Sequence, residues 1–153
     1  MNDVIRAFLA VAKLETRQDV EQFDACLSKL NPSSLTREDV GDLLGAFDDK
    51  VEQIDVAWGL VHFVEGASMS VYVPALVGCA DRLRVNAREW LETLVARCAN
   101  SADYRVILIQ SVSLASDECR AAIIATLRSL QMSSSDRAQA SANQCLTALG
   151  ETS

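Results

Sequence analysis

Along the chain, apolar residues recur every three or four positions, and short hydrogen-bonding residues recur at the breaks between these runs. Spacing of three and four gathers side chains on one face of an α-helix. Ser, Thr, Asn and Asp at a break accept the N–H groups that a first helical turn leaves unpaired. The pattern predicts about nine short helices. Asn2 precedes the first, which runs to near Leu14; Asp19 lies in the first turn of the second, with Val20, Phe23, Leu27 and Leu30 inward. Asn31-Pro32 ends the second, because a residue before proline is pushed out of the α region. Ser34 or Thr36 caps a third, with Leu35, Val40, Leu43, Leu44 and Phe47 inward. Asp48 or Asp49 caps a fourth that runs to Glu65, where Gly66 supplies a stop.

Ser70 begins a fifth helix, with Pro74 expected in its first turn, where a missing N–H costs nothing. Asn86 and Glu89 have the spacing of a capping box and open a sixth, to about Cys98. Ser101 opens a seventh to Leu114, Ser116 an eighth to Leu130, and Ser133 to Ser135 a ninth that Gly150 ends. From Asp49 onward the helices fall into three pairs beginning near residues 50, 87 and 117. Paired amphipathic helices at such a period form the unit of a HEAT-like α-solenoid. With no residue-level repeat consensus, an irregular helical bundle fits as well. Either is an all-α fold of stacked antiparallel hairpins, and one domain over residues 1–153 is expected.

The fourth helix carries the most chemistry. Val56, Ala57, Leu60, Phe63 and Val64 share one face, while Asp55, Trp58, His62 and Glu65 line the opposite one at spacings of three, four and three. An aromatic flanked by acids is a mixture enriched in binding surfaces. The same residues also suit a packed tryptophan and a hydrogen-bonded histidine inside the protein. Trp90, with Leu94 and Val95, reads as core packing. Arg82, Arg84 and Arg88 read as a surface salt-bridged with Asp81, Glu89 and Glu92.

Composition narrows the function classes. Half of the 153 residues are hydrophobic and 23% are charged, so the chain has the apolar content to fold. The net charge of −7 is unevenly placed: residues 1–65 hold 13 acids and 6 bases, and residues 66–153 hold 8 of each. Glu38, Asp39, Asp42, Asp48, Asp49, Glu52, Asp55 and Glu65 are opposed over their span only by Lys50. Such a surface repels nucleic acid and attracts a basic protein. No apolar run approaches the roughly 18 residues of a membrane span, so no membrane association is expected. Five widely spaced cysteines, Cys26, Cys79, Cys98, Cys119 and Cys145, have no C-x-x-C pair, and the start of the chain does not read as a signal peptide. They read as buried thiols of a reducing cytoplasm. His62 has no cysteine near it in sequence to make a nucleophile and base pair, and the nearest cysteine spacing, 19 residues, is too wide for a structural zinc site. Neither an enzyme nor a cofactor is expected.

The segment Asp55-Val-Ala-Trp58-Gly-Leu-Val-His62-Phe-Val-Glu65, followed by an aliphatic helix and Glu89-Trp90-Leu-Glu-Thr-Leu, resembles the all-helical immunity proteins of bacterial polymorphic toxin and contact-dependent inhibition systems. The family is immunity protein thirty, and the likeness covers residues 45 to 115. The resemblance implies a small cytoplasmic protein encoded beside a toxin, which binds the toxin's C-terminal nuclease domain and blocks it. Asp55, Trp58, His62 and Glu65 are the family-like residues. With Asp48, Asp49 and Glu52, which the charge pattern adds, they form the expected partner-binding set. The alternative is a helical-repeat adaptor holding an endogenous protein or peptide in a groove.

Overall fold

A computed structural model of the chain describes residues 2–12 and 14–151; those residues form ten α-helices and no strand. The helices are α1 (Asp3–Val11), α2 (Arg17–Ser28), α3 (Arg37–Leu44), α4 (Ile54–Glu65), α5 (Met69–Gly78), α6 (Ala80–Asn86), α7 (Arg88–Ala99), α8 (Ala102–Ser113), α9 (Asp117–Gln131) and α10 (Asp136–Ala148). Polar caps set many of the starts. The Asn2 side chain accepts from the Val4 N–H, and Thr16 with Asp19 and Thr36 with Asp39 make two reciprocal capping boxes. Ser116 and Ser135 cap α9 and α10. At the far end, Gly150 adopts φ +77°, its N–H donates to the Thr147 carbonyl and the Glu151 N–H donates to Leu146. That reversal needs a left-handed residue, which glycine supplies without strain.

The first helix ends at Val11, short of Leu14, and four helix starts differ from the sequence pattern. Pro32–Ser34 is a single 3-10 turn, and Thr36, not Ser34, caps α3. α4 starts at Ile54 with no side-chain cap, so neither Asp48 nor Asp49 opens it, and residues 48–53 form a loop. Asn86 and Glu89 make no capping box: Ala87 holds the N-cap position of α7. Finally, α5 begins at Met69, which puts Pro74 inside the helix and not in its first turn. Proline removes the N–H that the Ser70 carbonyl would accept, and the helix breaks five residues later at Cys79, giving ten helices in place of nine.

The packing is that of a helical bundle built around α5. Its Tyr72, Val73, Ala75, Leu76 and Val77 are all buried, as expected of a helix apolar on every side. α3 lies along one flank of α5 and α8 along the other, while α9 packs on α6, α7 and α10. α1 and α2 pair with each other, and α1 reaches α3. One contiguous apolar core runs from Ile5 to Leu146. α4 sits at the edge, touching the 3-10 turn, α3 and α5. At its end the chain passes so close to Pro32 that a Cβ on Gly66 would lie 3.0 Å from the proline Cβ. Gly66 thus serves this close approach; its φ of −73° is one that any residue adopts, so the expected left-handed glycine stop is not formed there.

Candidate interaction face

The acidic loop and α4 lie beside α7, and the contacts between them sort the seven expected residues into two kinds. Asp49 is structural. Its Oδ2 accepts from the Glu89 N–H at 3.0 Å and its Oδ1 from the Trp90 N–H at 3.3 Å, while its own N–H donates to the Asn86 carbonyl at 3.2 Å. A carboxylate at a helix N-terminus satisfies orphan donors and the positive end of the dipole together. The cap that α7 lacks locally is thus supplied by the loop before α4. Asp48 is half-buried and its Oδ1 accepts from the Lys50 N–H at 2.8 Å, holding the loop's turn.

Trp58 is half-buried. Its ring meets Trp90 edge-on at 5.6 Å between centroids, and Trp90 meets Phe47 at 5.2 Å. Two turns beyond, Nε and Nη2 of Arg97 both donate to Glu65 at 2.8 Å, and the guanidinium lies 5.6 Å from the Trp58 ring centre. Hydrogen bonding to Glu65 raises the Arg97 pKa above its ordinary value. Trp58 pairs with Trp90 and Glu65 with Arg97, both at an offset of 32 residues, so α4 and α7 run parallel and in register. Glu65 is therefore occupied within the chain.

The remaining residues face outward. Glu52 and Asp55 are exposed, and His62 is exposed with its Nδ1 3.8 Å from Glu65 and its ring 6.0 Å from Trp58. Asp48 and Glu52 also border a cleft of about 500 Å³ between the α1–α2 connection and the 48–53 loop, lined by Leu14, Glu15, Lys50, Val51 and Gln53 as well. Leu14 sits there with φ 54° and its side chain buried.

Sequence reasoning missed Glu15, Phe47 and Arg97 as members of this face. For Arg97 a signal existed: it follows Trp90 by seven residues, as Glu65 follows Trp58, so each helix carries an aromatic and a charge on one face. Glu15 had none, because only the tertiary fold brings it to residues 48–53. The expected salt bridges of Arg82, Arg84 and Arg88 are absent among the described residues. Trp90 is half-buried at the edge of the core, above the buried Leu94 and Val95.

All five cysteines are free and buried. Burial pushes the Cys79 and Cys98 thiols up to about 12 and Cys145 to about 11, which keeps them protonated and unreactive at neutral pH. Among the described residues no three His, Cys, Asp or Glu side chains gather as a metal site would require, and no helix is long and apolar enough to cross a membrane.

Residues 10–108, well over half the chain, match the family described as Immunity protein 30. The chain belongs to the Immunity protein 30 family. The matched span takes in α2 to α7 and most of α8, and so contains the whole acidic loop, α4 and the helix that α4 is tied to. No curated protein and no solved structure matches the chain.

Proposed function

We propose that this immunity protein neutralises a cognate toxin, a basic nuclease domain, by covering its substrate cleft with the outward side of the 48–53 loop and α4. The observation that carries this reading is the presence, inside the family-matched segment, of carboxylates whose side chains make no hydrogen bond or ion pair among the described residues. Glu52 and Asp55 stand exposed beside His62 and the edge of Trp58, while Asp49 and Glu65 are already bound within the chain. Free carboxylates on a surface of net negative charge speed the approach of a cationic partner, and an aromatic edge beside them adds desolvated contact once docked.

The test uses the intact chain and the C-terminal domain of the secreted protein encoded beside its gene. Replacing Glu52 and Asp55 together with lysine is expected to slow association at least tenfold and to flatten its salt dependence, with the circular dichroism spectrum unchanged. Binding kinetics identical to wild type would move the interface elsewhere. A toxin domain without nuclease activity would overturn the assignment of chemistry but not of the face.

A further inference from the structure

At the end of α4 the chain meets three other helix ends, and between them opens a pocket of about 410 Å³. Its lining is Glu65 at the end of α4, Arg97 in the last turn of α7, Asn100 and Ser101 in the turn that follows, Tyr104 in the first turn of α8 and Arg137 near the start of α10. Every lining side chain carries a polar group.

The electrostatics differ from those of the acidic loop. Two arginines against one glutamate leave the lining one positive charge in excess. Glu65 is matched by Arg97, which bonds it through Nε and Nη2. Arg137 donates to the Asn100 carbonyl at 3.0 Å and makes no ion pair among the described residues, so it is the cation in excess. Asp103 and Asp136, the acids in the first turns of α8 and α10, are exposed and do not line the pocket. Ser101 holds the N-cap position of α8, yet its side chain caps no N–H, unlike Ser116 on α9 and Ser135 on α10. The first-turn N–H groups of α8 are thus left to an acceptor from outside the helix, and they carry about half a positive charge.

Two buried atoms mark the same place. Asn100 Oδ1 is buried without a hydrogen-bond partner. An amide's oxygen and nitrogen exchange by a half-turn, so this position offers an N–H to an anion as readily as a lone pair to a donor. Tyr72 of α5 is fully buried, its ring meets that of Tyr104 edge-on at 6.4 Å between centroids, and its hydroxyl has no hydrogen-bond partner. Glu65 and Arg97, two of the lining residues, are the charged groups that act on that hydroxyl. Buried polar atoms are ordinarily paired, so two unpaired ones at one pocket call for a group that the chain itself does not supply.

We infer that this pocket takes the carboxylate of an acidic side chain of the toxin, with Arg137, the first turn of α8 and the Ser101 and Tyr104 hydroxyls as its donors. Charge decides between oxyanions: one guanidinium in excess and one helix N-terminus balance a carboxylate, whereas a phosphate dianion exceeds them. The pocket opens at the last residue of α4, so a toxin seated on that helix lies next to it. The inference rests on the immunity reading above and adds to the acidic face a contact of opposite sign.

Ser101→Asp tests it from within, because an N-cap carboxylate placed there takes the α8 N–H groups itself. With the intact chain and the adjacent toxin domain, this variant should melt at or above the wild-type temperature and yet bind at least tenfold more weakly. A Ser101 of merely structural importance would move stability and affinity in the same direction, and a lower melting temperature would overturn the open N-terminus of α8. Arg137→Gln should also bind at least tenfold more weakly, and its effect should not add to that of removing one particular Asp or Glu of the toxin in a double-mutant cycle. Equal binding by both variants overturns the pocket and leaves the immunity reading intact, and a toxin domain that does not bind the wild-type chain overturns both. Amide resonances of residues 101–105 that shift with inorganic phosphate but not with acetate, alongside normal toxin binding by Ser101→Asp, would assign the pocket to a free anion and overturn the toxin contact.

Discussion

At the start of α7, two N–H groups that no residue of that helix satisfies are taken up by a carboxylate forty residues earlier. Asp49 thus works as a remote N-cap, and its energy follows the rule for caps. Asp49→Ala should lower unfolding stability by about 1 kcal/mol, within the range of roughly 0.5 to 2 for losing such an acceptor. Asp49→Asn, which keeps an acceptor oxygen, should recover most of the loss. Urea denaturation checks both, and an alanine variant as stable as wild type would show that the two bonds contribute nothing net. The result also guards the interface test, because an Asp49 charge reversal that weakened binding would report a damaged α7 and not a lost contact. Arg97 needs the same care: its bidentate bond to Glu65 and its position near Trp58 make it a tie between helices.

Among the helices, α4 and α5 are opposites. α5 buries Tyr72, Val73, Ala75, Leu76 and Val77 and leaves a narrow stripe at Ser70 and Gly78 exposed, whereas α4 lies at the edge, starts without a side-chain cap and is tied to α7 by Trp58 on Trp90 and Glu65 on Arg97. Elements with few buried contacts open first. Amide hydrogen exchange should therefore be fastest in α4 among the helices of the matched segment that follow α3, and slowest in α5. Arg97→Ala should speed exchange in the last turn of α4 several-fold with little change in α5. Equal protection of α4 and α5 would contradict this ordering. The pattern of hydrophobic spacing found α4 and its inward Leu60 and Val64, but placed its start several residues early. Asp48 and Asp49 look like caps in sequence, and a cap is what Asp49 is, but for a different helix. Local spacing identifies a residue able to accept N–H groups and does not say whose. Pro74 shows the same limit. The expectation that it would fall in a first turn rested on local cost, but its place inside α5 is set by packing on both flanks, which offsets the missing bond.

Across the whole molecule, buried groups that ionise at high pH set the alkaline limit of stability. Burial raises the folded-state pKa of Cys79 and Cys98 from 9.0 to about 12 and that of Cys145 to about 11, and raises Tyr72 well above 10.0. A proton held more tightly in the folded than in the unfolded state stabilises the fold below the unfolded pKa and ceases to do so as pH rises through the folded one. Stability should thus be flat to about pH 9 and then fall, each thiol contributing up to about 1.4 kcal/mol per pH unit while only its unfolded form is ionised. Denaturant midpoints measured from pH 7 to 11 check this. A midpoint that holds steady to pH 11 would mean that these thiols reach water in the folded protein.

The sequence by itself determined the all-helical class, most helix boundaries, the apolar faces, the likeness to immunity proteins and the burial of the thiols. These follow from interactions between residues three or four apart, or from composition, and so are written locally. Only the tertiary structure decided which acids are free. Asp49 and Glu65 belong to the fold and Glu52 and Asp55 to the surface, because that distinction depends on α7 lying parallel to α4. A hollow of about 570 Å³ on α5 is likewise invisible in the chain: Ser70, Pro74 and Gly78 line it together with Arg37 of α3 and Ile107 of α8, residues that only the fold brings together. Partners brought together across dozens of residues are selected by how the hairpins pack, and no local spacing encodes that choice.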